Sequence, residues 1–124
     1  MKKKAIIKWT RCDLFNADIV LIVCPWEDLL GAAKEALTKE KFETLSKQYE
    51  THGHDPYSLA LQFPFGGGGS LIWGKPHATV GTLVHEITHV AHHLLKQRSV
   101  PLSEDTEEVY AYMIEFLFNN LTKK

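Results

Sequence analysis

One stretch constrains this chain more than any other. Residues Thr79 to Gln97 must form a helix, and that helix carries two histidines on one face. Leu83, Val84, Ile87, Ala91, Leu94 and Leu95 recur at helical spacing and make an apolar stripe. Inside the stripe lies His85-Glu86-Ile87-Thr88-His89. Its histidines sit at i and i+4, one above the other on the helix. Two imidazoles so placed reach one zinc ion at about 2.0–2.1 Å each. Glu86 is one position round the helix. Its carboxylate can take a proton from a zinc-activated water as that water attacks a carbonyl. The expectation is a mid-helix site with His85 and His89 turned inward as metal ligands and Glu86 as general base.

The rest of the chain has to fold around that helix. At 124 residues it suits one domain, spanning residues 1–124. With 14 basic and 15 acidic residues the net charge is -1, which argues against a strongly basic nucleic-acid binder. The longest apolar run, Ile19 to Pro25, is far short of the roughly 20 residues a bilayer requires. The start Met1-Lys2-Lys3-Lys4 mimics a signal peptide. Ala5-Ile6-Ile7 is then interrupted by Lys8, Arg11 and Asp13, so no apolar region follows. A cytoplasmic protein with no membrane segment is expected. Cys12 and Cys24 do not form a Cys-x-x-Cys pair and read as buried reduced thiols.

Lys4 to Trp9 is rich in β-branched and aromatic residues and predicts a strand. Ile19 to Val23 predicts a buried central strand. From Trp26 to Tyr49 the apolar residues recur at helical spacing, with Thr38 as a break between two helices. Thr51 to Pro56 reads as a loop, Tyr57 to Phe63 as a strand, Pro64 to Gly69 as a turn and Ser70 to Trp73 as a short strand. The four glycines Gly66 to Gly69 are not a phosphate loop, because no Gly-Lys-Ser/Thr ending or helix start follows them. Ser103 is the expected cap of a last helix running to Leu121, apolar on most sides and therefore largely buried.

A catalytic zinc usually takes a third protein ligand. His93 continues the histidine face at i+8, but three ligands at i, i+4 and i+8 span about 12 Å of axis and cannot converge. His92 and His93 therefore read as surface or supporting residues. The acidic start of the last helix is the remaining source. The connection from Gln97 to Leu102 is short, which predicts an antiparallel helix pair. Glu108 lies five residues after Ser103, about 7.5 Å along the returning helix, roughly level with His85 and His89. Glu107 is the close competitor, although the bulky Tyr110 and Ile114 share its face. Glu104 and Asp105 read as a solvated first turn. Tyr57, His52, His54, Tyr110 and Tyr112 are all candidates to stabilise an oxyanion.

Gly81-Thr82-Leu83-Val84-His85-Glu86-Ile87-Thr88-His89, followed by Glu108-Val109-Tyr110-Ala111-Tyr112, resembles the zincin metallopeptidases of the gluzincin type. It is most similar to the small minigluzincin-like proteins of phages and bacterial mobile elements. The resemblance runs from about Gly69 to Leu121. It implies an α+β fold, in which a small twisted sheet packs on the helix bearing the histidines and an antiparallel glutamate-bearing helix lies behind. It also implies zinc held by His85, His89 and Glu108, with Glu86 as general base. The substrate would be a peptide or protein, lying along a sheet edge formed by Ser70, Leu71, Ile72 and Trp73. Glu115, often a small residue in such proteins, would either support a ligand histidine or pair with a lysine.

Two other functions fit the same residues. A zinc-binding protein without peptidase activity would act as a structural or regulatory partner. A DNA-associated protease of the SprT type would want a basic surface, and Lys2 to Lys4 with Lys123-Lys124 are few and terminal.

Overall fold

The computed structural model describes residues 5–52, 60–65 and 69–123, without the side chains of Leu14 and His52. Four strands and four helices follow in the order β1 (Ile6–Cys12), β2 (Ala17–Val23), α1 (Leu29–Ala36), α2 (Lys39–His52), β3 (Ala60–Pro64), β4 (Ser70–Gly74), α3 (Val80–Gln97) and α4 (Glu107–Leu121). This is a small α+β fold built on a mixed sheet of order β1-β2-β4-β3. β1 and β2 form an antiparallel pair, β2 and β4 run parallel, and β3 returns antiparallel to β4. The parts of the expected elements at Lys4, 53–59 and 66–68 lie outside the described residues.

Helices cover both faces of the sheet, which is why the inner strands read as continuous apolar runs. Alternation sends Ile19 and Leu21 of β2 and Ile72 of β4 to one side, where they meet Ile87, Val90, Leu94 and Leu95 of α3 and Leu117 and Leu121 of α4. Val20, Ile22, Leu71 and Trp73 go to the other side, against Leu29 and Ala33 of α1 and Leu45 of α2. Trp26 closes this second core by stacking on Tyr49 at 4.3 Å between centroids and meeting Trp73 edge-on at 5.0 Å. Gly69 has to be glycine. A Cβ there would lie 2.7 Å from the carbonyl oxygen of Asp18, where β4 begins its pairing with β2.

Three expectations need correction. β4 is not a sheet edge. It lies between β2 and β3, and Ser70, Leu71, Ile72 and Trp73 are all buried. Strand pairing is non-local, and a short apolar strand followed by Gly74 and Pro76 does not disclose that another strand closes over it. The last helix starts at Glu107 rather than at Ser103. The Thr106 hydroxyl accepts from the Ser103 N–H at 3.0 Å and donates to the Pro101 carbonyl, folding residues 103–106 into a turn. Nor is α4 buried all round, since Val109, Tyr112 and Phe116 face outward. Cys12 and Cys24 are buried and unbridged, as expected, and burial, with Asp28 and Glu27 adding to it, pushes the Cys24 thiol up to about 11.

Candidate metal centre

α3 is closely tied at both ends. Thr79 caps it, its hydroxyl accepting from the Thr82 N–H at 3.1 Å. At the other end Ser99 takes a left-handed backbone, φ 61°. The N–H of Val100 then reaches the carbonyl of Leu95, and that of Ser99 reaches Lys96, which satisfies the last turn's carbonyls. The Tyr110 hydroxyl donates to the Val100 carbonyl at 2.6 Å and pins α4 to this connection.

On that rigid helix the two motif histidines come together. Their Nε2 atoms lie 3.2 Å apart. Both nitrogens would sit on bonds of about 2.05 Å to a shared zinc ion, and their separation then subtends about 100° at it, close to tetrahedral. The chemistry fits as well, because neutral imidazole nitrogens are the usual zinc donors. Without a metal, one neutral ring can donate to the other across the same gap.

The pair faces solvent rather than the interior, which corrects the inward orientation expected from the stripe. His85, Thr88 and His89 are exposed, and Val84 lies at the surface beside them. The sheet-facing stripe is Ile87, Val90, Ala91, Leu94 and Leu95, one step further round.

Glu86 goes the other way. It is only 7% exposed, and no hydrogen bond or ion pair reaches its carboxylate among the described residues. Burial raises its pKa, and the neighbouring His89 and His85 offset only part of that rise. A carboxylate whose pKa is raised is a stronger proton acceptor, which suits a general base.

The third donor is not gathered. Among the described residues no three His, Cys, Asp or Glu side chains are grouped to hold a metal ion. Glu108 stands exposed in the first turn of α4. The later helix start explains this. With Glu107 as the first helical residue, Glu108 has advanced about 1.5 Å along the axis instead of the 7.5 Å that a start at Ser103 implies. Glu107 and Glu115 are exposed too.

The other candidates are distributed as follows. Tyr110 is buried and its hydroxyl is committed to Val100, while Tyr112 faces outward on α4. The ring of His92 lies 5.9 Å from that of Tyr110. The Nε2 of His93 is buried without a hydrogen-bond partner among the described residues, a feature that the run of histidines did not signal. Tyr57, His54 and the side chain of His52 lie outside the described residues. No helix among the described residues is long and apolar enough to cross a membrane. Protein-family models, curated proteins and solved structures, each compared with this chain, give no match.

Proposed function

We propose that this chain is a zinc-dependent metallopeptidase of the gluzincin type. The observation that carries the reading is the Nε2 separation of 3.2 Å, a bite that suits one tetrahedral ion. His85 and His89 would hold the zinc, with Glu108 as the third protein donor. When bound there, the zinc supplies Lewis-acid activation of a water and of the scissile carbonyl. Glu86 would accept the proton, and the burial that raises its pKa supports that role. The reading does not extend to β4 as the strand that aligns a peptide.

A second reading is a zinc-binding protein with no hydrolytic activity. The exposure of the histidine pair and the absence of a three-donor group among the described residues favour it. One experiment separates the two. Purified chain is loaded with zinc, its metal content is measured, and unfolded casein is offered with and without a chelator. Zinc near one per chain with chelator-sensitive cleavage supports the peptidase. Zinc without cleavage leaves the binding protein, and no zinc at micromolar free metal removes both.

A further inference from the structure

The two edges of the sheet are finished differently. β3 ends in Pro64, which has no N–H to offer, and the Pro64 carbonyl already accepts from Gln48 Nε2 at 2.7 Å. β1 has no such protection. It runs for seven residues, contains no proline and pairs with β2 without a bulge. Its other side has no strand neighbour among the described residues. Its charged side chains are Lys8 and Arg11, of which Arg11 is committed to Asp13 and Asp18, so most of the edge stays open as a template for another strand.

Exposed apolar side chains flank this edge on both faces of the sheet. Trp9 shares the face of its partner Val20, on the α1/α2 side, and is 45% exposed. Ile6 is on the α3/α4 side and is 54% exposed. Beyond the end of β1, Val109, Tyr112 and Phe116 of α4 overhang Cys12 and Phe15 and line a groove of about 510 Å³.

We propose that β1 pairs antiparallel with β1 of a second copy about a two-fold axis at Trp9. Two four-stranded sheets then become one of eight strands. The register follows from symmetry. A two-fold perpendicular to the sheet pairs residues that point to the same face, so the axis must pass through a residue of β1. Centred on Trp9, the pairing engages all of Ile6–Cys12 and sets the two Trp9 rings opposite each other. Centred on Lys8 it would oppose two ammonium groups, and centred on Thr10 it would leave Ile6 and Ile7 unpaired.

The Trp9 register has two further consequences. Ile6 of each copy falls opposite Cys12 of the other, at the mouth of the apolar groove. The start of one strand also lies beside the end of the other. One symmetry operation thus accounts for Ile6, Trp9 and the outward stripe of α4.

Sedimentation of the full chain from 1 to about 500 μM tests this at the level of mass. The expected result is a concentration-dependent dimer of twice the 14.1 kDa chain mass. Directly opposed residues of an antiparallel pair have Cα atoms about 4.5–5.5 Å apart, within disulfide reach. Trp9→Cys should therefore cross-link to a covalent dimer under mild oxidation, and Thr10→Cys should not. Trp9→Glu should weaken the dimer at least tenfold. Tyr112→Lys, at a position 66% exposed on α4, should weaken it with the fold unchanged by circular dichroism, which covers the case in which Trp9→Glu does not fold. A chain that stays monomeric throughout the range leaves the edge to some other partner and overturns the proposal. Cross-linking through Thr10→Cys in place of Trp9→Cys overturns it as well.

Discussion

The two helical layers cover the same sheet but treat their polar atoms differently. On the α1/α2 side two aromatics, Trp73 and Tyr49, put their polar handles to use. Trp73 Nε1 donates to the Cys24 carbonyl at 2.8 Å, and the Tyr49 hydroxyl donates to the Trp26 carbonyl at 3.1 Å. On the α3/α4 side, among the described residues, His93 Nε2 is buried without a hydrogen-bond partner, no hydrogen bond reaches the mostly buried Glu86, and two imidazoles converge on open solvent. Buried polar groups are normally satisfied, so leftovers gathered on one element mark where a fold gives up stability for chemistry. The first layer serves as scaffold, and the second is proposed as the working face.

The largest test of that contrast is Trp73→Ala. Trp73 is 2% exposed, and its removal leaves a cavity and orphans the Cys24 carbonyl. A loss of about 3–5 kcal/mol is expected, enough to unfold much of the population, measured by urea denaturation. His85→Ala and His89→Ala in metal-free protein should each cost less than about 0.5 kcal/mol, because both rings are exposed. A comparable loss from the histidine variants would dissolve the distinction between the layers.

Next comes Glu86→Gln. It preserves size but removes the base, so casein hydrolysis by the zinc-loaded chain should fall by about 10²–10⁴-fold. The same change removes a carboxylate whose charged form is disfavoured by burial. The metal-free variant should therefore melt higher at neutral pH, by about 1 kcal/mol or roughly 4 °C. Lower activity together with a lower melting temperature would instead make Glu86 a structural residue.

Zinc linkage probes the proposed ligands. At free zinc about 100-fold above its dissociation constant, the wild-type chain should gain about 2.7 kcal/mol, visible as a rise in Tm. His89→Ala should abolish that gain and Glu108→Ala should remove most of it, whereas Glu107→Ala should keep it. Neighbouring residues point about 100° apart on a helix, so only one of the two glutamates can serve. Loss through Glu107→Ala alone would move the assignment by one residue.

Much of this could be read from the residues, and the failures share a cause. The helical stripe, read as Thr79 to Gln97, places α3 to within a residue of its start at Val80. The Ile19 to Val23 run is the inner strand β2, and Thr38 falls at the junction of α1 and α2. Each of these rests on local periodicity or on a single capping group. The start of α4 was missed because the Thr106 hydroxyl turns back to Ser103 and Pro101 and folds the residues after Ser103 into a turn, which a cap pattern in the sequence does not disclose. The inner position of β4 and the outward turn of Tyr112 and Phe116 depend on which distant element arrives alongside, and periodicity carries no information about that. At the site, i and i+4 spacing brings His85 to His89. The third donor depends on how two helices sit against each other, which is again non-local.

The smallest effect tests how β1 and β2 are joined to the scaffold layer. Asp18 on β2 accepts from Arg11 of β1 at 2.9 Å and from Lys41 of α2 at 3.3 Å. Burial pushes its pKa upward, but the hydrogen bonds and charges of Arg11 and Lys41 outweigh that, and the net shift is downward. A carboxylate with a lowered folded value stabilises the fold above its unfolded value, near 3.8, and that contribution is lost as pH falls through the folded value. The side chain is about a third exposed, so solvent screening keeps the effect to about 0–1 kcal/mol. Asp18→Asn should accordingly melt slightly below wild type at pH 7, by at most a few degrees, and the gap should narrow on acidification below about pH 3.8. Added salt should shrink it at neutral pH. A gap that stays constant from pH 7 to pH 2 would assign the loss to packing and remove the charge network as a tie between β1, β2 and α2.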